Sequence, residues 1–300
     1  MSTVSQPLIL THSDLMNFMR CRRLFNYSVV RDFSLPEPDT GALALGSRVH
    51  AAVELYHRDG LDPVDAHTSL AQDARARTEN APQFVKDQLE TDILVGTNCT
   101  MAYRRWIFNE DPYKDWQVIG IERMVETPML SGRVILRGKI DLLLGGTGPN
   151  AGQVLLDDLK TVAPTRIDAA QNYVLRSYQH AIYAHTLQAQ DNITVTKARY
   201  VHVKKVRDLS RVPEPVIVSV VPVLRRTTAT SMGYIERVLT EMEALIRKDQ
   251  PETWYPYPQD ACAWCSYRNP CLLATEGRGA EDRALADKYV HGQRLARYYV

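Results

Sequence analysis

The stretch VILRGKIDLLLGGTGPNAGQVLLDDLK, residues 134–160, decides how the chain is read. Two runs rich in Val, Ile and Leu, 134–144 and 154–160, flank a Gly-, Pro- and Asn-rich turn, the pattern of a β-hairpin. The turn GGTGPNAG (145–152) lacks the GK[ST] ending of a phosphate-binding loop and runs into a strand instead of a helix. No ATPase engine is recognisable. Side chains alternate along a strand, so Asp158 and Lys160 project from one face and Asp157 from the other. Asp141 is the one acid in an otherwise apolar strand, and pairing across the turn brings it near Asp158. Two adjacent buried carboxylates repel each other unless a cation neutralises them. Hard cations such as Mg²⁺ take oxygen ligands, commonly one or two protein carboxylates. The same residues also suit two strand-end acids in solvent, with Lys160 in a surface ion pair.

Working outward, the period of the pattern changes. Upstream the chain reads as helical: a helix capped by Ser13 and running to Phe25, a break at LPEPDTG (35–41), then helices over 42–57, 63–78 and 83–109, the last interrupted by Gly96. No strand is expected before residue 110. A strand over 118–126 precedes the hairpin. After it come a helix over 166–190, strands at 194–205 and 215–223, a helix over 227–248, a loop PETWYPYP (251–258) and a final helix near 280–298. No internal repeat is present.

Composition bounds the function. In 300 residues, 45% apolar and 24% charged, there is ample material for a core. Thirty-six basic against thirty-five acidic residues argue against a protein that coats nucleic acid by general positive charge, and leave room for a local basic groove. Arg20, Arg22, Arg23, Arg104, Arg105, Lys204, Lys205, Arg225 and Arg226 are candidates for one. Tyr173, Tyr178, Trp264 and Tyr267 are candidates for base stacking. No apolar run reaches the ~18–20 residues of a membrane span, and MSTVSQPLIL has no signal-peptide pattern, so a cytoplasmic protein without membrane contact is expected. Five cysteines do not pair into a disulfide framework, and Cys262, Cys265 and Cys271 fall close enough together to suggest metal ligation. Cys99 reads as a buried thiol.

Two helical features add to the hairpin. GSRVHAAVE (46–54) puts Gly46, His50 and Glu54 on one helix stripe, and Gln179 and Tyr183 lie four apart with Arg176 on the same side. In chain order, GSRVH, GKID, DLK and QHAIY resemble the RecB-like branch of the PD-(D/E)XK nuclease superfamily. The resemblance spans roughly residues 10–275.

That resemblance implies a mixed α/β (α+β) chain with a restriction-endonuclease-like αβββαβ core. The whole chain, 1–300, would be a single RecB-like nuclease domain: a helical N-terminal section (1–110), the core sheet and helix (111–225), and C-terminal helices with a cysteine segment (226–300). It implies a metal-dependent DNA exonuclease in which His50, Asp141 and Asp158 hold Mg²⁺ or Mn²⁺. Lys160 would position the attacking water, and Arg176, Gln179 and Tyr183 would hold the nucleic-acid strand or support the site. Glu54 and Glu122 are possible accessory acids, more readily read as a solvated face. Cys21 in MRCRRLF with Cys262, Cys265 and Cys271 in CAWCSYRNPC resembles the iron–sulfur staple of AddB-type and CRISPR-associated exonucleases, joining the chain ends. Four thiolates suit [4Fe–4S] and Zn²⁺ alike, and the resemblance favours the cluster. The expected partner is DNA, single-stranded or with free ends, in recombination, repair, replication or defence. Unwinding would need a separate helicase or recombination partner. The rival readings are a structure-specific endonuclease and a non-catalytic DNA-binding subunit of a nuclease–helicase complex.

Overall fold

The structure is a computed structural model, and it describes residues 7–35, 39–248, 254–274 and 278–292. The chain runs β1 (Leu8–Thr11), α1 (His12–Arg20), α2 (Arg22–Phe25), β2 (Phe33–Ser34), α3 (Gly41–Asp59), α4 (Pro63–Arg77), α5 (Gln83–Glu110) and β3 (Trp116–Met129). It continues through β4 (Val134–Gly146), β5 (Val154–Val162), α6 (Ile167–Arg176), α7 (Gln179–Asp191), β6 (Lys197–Lys204) and β7 (Val216–Pro222). It ends with α8 (Arg225–Lys248), α9 (Arg268–Leu273), α10 (Arg278–Lys288) and β8 (Val290–His291). The mixed α/β class agrees with the reading of the sequence. The described residues divide into two compact units, one drawn from 1–36, 126–138 and 229–300, the other from 37–125 and 139–228.

In the first unit, β1 pairs in parallel with the start of β4, Leu8 opposite Val134 and Thr11 opposite Arg137. This corrects the expectation of a strand-free start. Four residues, LILT, are too few to show a period of two, and a parallel partner over a hundred residues away leaves no local signal. The cap of α1 is Thr11, not Ser13. Its Oγ1 accepts the Asp14 N–H (3.2 Å) while the Asp14 carboxylate accepts the Thr11 N–H (2.8 Å), a reciprocal capping box. The expected helix to Phe25 breaks at Cys21, whose backbone is extended (φ −162°). β2 and β8 form a short antiparallel ladder, and Tyr27, Phe33, Tyr267, Leu285 and Tyr289 bury one another there, with Cys265 and Cys271 packed against them. Of the final helix expected near 280–298, residues 293–298 lie outside the described residues.

The second unit carries the hairpin. Beyond Gly138, β4 pairs antiparallel with β5, β5 pairs parallel with β6, and β6 pairs antiparallel with β7. The parallel pair requires a crossover, supplied by α6 and α7. A single helix was expected over 166–190. It is broken at Ser177, which turns extended (ψ 139°) and accepts the Gln179 N–H on its Oγ. Neither Pro nor Gly marks that break. On one side of the strands, Leu159, Val201, Val203 and Val216 pack against Leu45, Val49 and Val53 of α3 and Val95, Cys99, Ala102, Tyr103 and Ile107 of α5. Cys99 is the buried thiol expected, and burial pushes it up to about 12.

Two glycines explain how the helices approach. A Cβ on Gly46 of α3 would stand 3.3 Å from Thr161 Oγ1, so the helix lies close against β5. Gly96 interrupts no helix: α5 runs straight through it. The fully buried His67 ring of α4 occupies the space, and a Cβ on Gly96 would fall 2.3 Å from its Nε2. Gly96→Ala therefore lowers stability by ~1–3 kcal/mol despite alanine's better helix propensity. Thermal unfolding checks this, and His67→Ala in the same chain should recover part of the loss.

Candidate active site

The β4–β5 ladder ends at Leu142 opposite Asp157. Just past it, the Asp141 carboxylate accepts the Leu159 N–H at 3.2 Å, taking an amide that strand pairing leaves over. Helix α3 brings His50 to the same point, its Nδ1 3.4 Å from Asp141 Oδ2. Asp158, one residue from the end of the ladder, ion-pairs with Lys160 at 2.5 Å. Its other oxygen accepts from Gln179 Nε2 at 3.1 Å. Gln179 also donates to the Tyr183 hydroxyl (3.2 Å), which itself donates to the Lys139 carbonyl (2.9 Å). His50, Asp141, Asp158, Lys160, Gln179 and Tyr183 thus gather at one strand end.

The Asp158 side chain keeps 12% of its surface open, whereas those of His50, Asp141 and Lys160 keep 31%, 24% and 33%. Burial dominates at Asp158: with the like charge of Asp141 it overrides the Lys160 ammonium and pushes the carboxyl up to about 6. At Asp141 burial acts the same way, but His50, Lys160 and the Leu159 amide outweigh it and the carboxyl lies below its ordinary value. Burial would lower His50 and Lys160. The facing carboxylates, Asp141 first for His50 and Asp158 first for Lys160, raise both. The result is two carboxyl groups, an imidazole and an ammonium held in one small volume.

Arg176 is not on the helix of Gln179 and Tyr183. The break at Ser177 leaves it exposed at the end of α6. Glu54 and Glu122, read from sequence as a solvated face, instead line one cleft with His50, Asp141, His57, Tyr103, Tyr113 and Asp157. Glu122 sits in β3 with a left-handed backbone (φ 46°) and ion-pairs with Lys139; burial raises its carboxyl. Two residues escaped the sequence reading altogether. Tyr200 lies opposite Asp158 and His202 opposite Lys160 across the β5–β6 ladder. His202 is fully buried and neither ring nitrogen has a hydrogen bond. Their signal is a strand register between segments some forty residues apart, which no local pattern encodes.

Several nucleic-acid candidates are occupied structurally. Arg22 lies over the Phe18 ring and pairs with Glu241, Arg23 donates to the Trp254 carbonyl, and Arg104 pairs with Asp62. Tyr267 is core, its hydroxyl donating to the Phe33 carbonyl. Tyr173 and Trp264 remain exposed. Among the cysteines, the Tyr257 N–H donates to Cys21 Sγ at 3.5 Å, and Arg23 donates to Cys271 Sγ at 4.0 Å. Burial raises the Cys271 thiol, with Cys21 and Cys265 close enough to add to it. Among the described residues, no group of three or more His, Cys, Asp or Glu side chains closes into a metal shell. Asp158 turns to Lys160 and Gln179, and Cys262 is exposed.

The family model of the PD-(D/E)XK nuclease superfamily matches residues 9–272. A crystal structure of a provisionally assigned exonuclease from Eubacterium rectale shares the fold, with a TM-score of 0.51 at 10% identity over 86% of this chain and 87% of that one. No curated protein matches the sequence.

The raised Asp158 carboxyl has a measurable consequence. A folded-state value of about 6 against 3.8 means that the folded chain binds more protons than the unfolded one between those limits, so stability falls as pH rises through them. In metal-free protein, Asp158→Asn should therefore gain on the parent by on the order of 2 kcal/mol from pH 4 to pH 7. Denaturant unfolding of both proteins across that range checks it; parallel curves would refute the assignment.

Proposed function

The chain belongs to the PD-(D/E)XK nuclease superfamily, and from that premise we propose that it is a metal-dependent exonuclease acting on free ends of single-stranded DNA. The observation that carries this reading is the convergence of Asp141, Asp158, Lys160 and His50 where β4 and β5 stop pairing. The donor set, two carboxylates and one imidazole, fits Mg²⁺ or Mn²⁺. The Asp158 oxygen that faces Lys160 is buried without a hydrogen bond of good geometry, and the carboxyl is destabilised as an anion. A closed protein shell is not required, because Mg²⁺ commonly keeps several waters and takes one or two carboxylates. Asp141, Asp158 and His50 would hold the ion, which supplies charge neutralisation at the phosphate and a more acidic water.

The remaining work falls to side chains. Lys160, kept protonated by the two carboxylates, orients the attacking water and offsets charge gathering on the phosphate oxygens. Gln179 fixes the Asp158 carboxylate from its other oxygen, and Tyr183 fixes Gln179. Arg176, exposed on α6, and Tyr173 on the same helix contact the strand. The sequence offers no dedicated DNA-reading module, which favours trimming from ends. Such an enzyme suits cytoplasmic recombination, repair, replication or defence beside a separate helicase.

We read Cys21, Cys262, Cys265 and Cys271 as the ligands of a [4Fe–4S] cluster, with Zn²⁺ the less favoured occupant. Cys21 and Cys265 lie close enough to Cys271 to add to the rise that burial gives its thiol, and thiolate donors suit either metal.

Anaerobically purified protein should be brown, with about four irons per chain. It should degrade end-labelled single-stranded DNA with Mn²⁺, and Asp158→Ala should lose on the order of a thousandfold in rate while keeping its iron. A colourless protein that cleaves nothing would overturn both readings.

A further inference from the structure

Along the wall of the cleft runs a chain of hydrogen-bonded polar groups, buried at Asp157, Tyr103 and Arg199 and half-buried at Tyr113 and His57. Arg199 of β6 grips Asp157 with two nitrogens, at 2.9 and 2.6 Å. The Tyr113 hydroxyl donates to the same carboxylate at 2.9 Å. Tyr103 of α5 stands 2.8 Å from Tyr113, and His57 Nε2 of α3 stands 2.8 Å from Tyr103. Each hydroxyl has one proton, and the carboxylate can only accept. Tyr113 therefore spends its proton on Asp157 and accepts from Tyr103, and Tyr103 must accept from His57. The chain has one direction, and it specifies the Nε2–H tautomer of His57. Burial keeps that imidazole neutral, down at about 4.

The two ends of this chain sit on the elements that carry the candidate site. Asp157 precedes Asp158 on β5 and points to the opposite face. His57 follows His50 by seven residues, within ~20° of the same stripe of α3. The apolar contacts between α3 and the sheet are non-directional, and they tolerate rotation of a helix about its axis. Hydrogen bonds with fixed donors do not.

We infer that His57, Tyr103, Tyr113, Asp157 and Arg199 are positioning residues which fix the rotation of α3 against β5, and so the spacing of His50 from Asp141 and Asp158. The inference rests on the nuclease reading, since it gives that spacing a metal ion to serve. Supporting partners of metal ligands commonly change metal affinity ten- to a hundredfold when removed.

The test uses Tyr113→Phe and His57→Gln in the full chain, with Val203→Ala as a variant of the same apolar core outside the hydrogen-bonded chain. Mn²⁺ binding is followed by the electron spin resonance of free Mn²⁺, and folding by thermal unfolding. The ¹⁵N shifts of His57 report its tautomer. Tyr113→Phe is expected to weaken Mn²⁺ binding about tenfold, and the parent to show the Nε2–H tautomer. Val203→Ala should unfold earlier yet bind Mn²⁺ like the parent. Unchanged binding in both Tyr113→Phe and His57→Gln, equal loss in Val203→Ala, or an Nδ1–H tautomer would each overturn the inference while Asp158→Ala still abolished binding. A parent that binds no Mn²⁺ at all would overturn the nuclease reading, and this inference with it.

Discussion

Two carboxylates side by side on one buried strand cannot be neutralised from the same direction. Alternation sends Asp157 and Asp158 to opposite faces of β5, and each meets its own cation: Arg199 in a two-pronged grip behind, Lys160 in front. The rear pair is closed, with every oxygen of Asp157 accepting from a fixed donor. The front pair is open, because Asp158 shares its surroundings with a second carboxylate, Asp141. Breaking a buried pair costs far more than a surface one, so the rear pair anchors the strand while the front one is left electrostatically unsettled. The difference between structure and reactivity here is a difference of one residue.

Helix α3 meets this strand under equally tight terms. Gly46 lets the helix backbone come down beside Thr161, which brings His50 within reach of Asp141. Glu54, one turn on, then lies at the rim of the same cleft, paired to Arg58. The left-handed backbone at Glu122 brings a further acid to that cleft. A non-glycine residue in that conformation stores strain, and such residues cluster at working sites.

What could be read in advance follows from how local each signal is. The hairpin and the opposed directions of Asp157 and Asp158 rest on alternation over a few residues, and both are present in the structure. Helices α3, α4 and α5 rest on sustained periodicity and lie within two residues of the expected bounds. The misses are non-local or chemically faint. β1 exists only because β4 accepts it, Ser177 breaks a helix with a side-chain hydrogen bond that a serine makes in many contexts, and Tyr200 and His202 reach the site through register alone. The polar chain from His57 to Arg199 draws on α3, α5, β5, β6 and a loop residue, so no window of sequence contains it. Glu122 was undervalued because strand alternation gives no hint of a left-handed residue within β3.

The chain passes from one compact unit to the other four times, after β2 and within β3, β4 and α8. Neither unit is therefore a contiguous stretch of gene. A truncation at residue 110 or 225, the natural places to cut a reading frame by inspection, would strip segments from both. An insertion tag or reporter is better tolerated in the 147–152 turn, which interrupts none of these passages, than anywhere between 116 and 146. For anyone dissecting this protein, the useful parts are sets of segments, and permuted or split versions have to be drawn around all four passages.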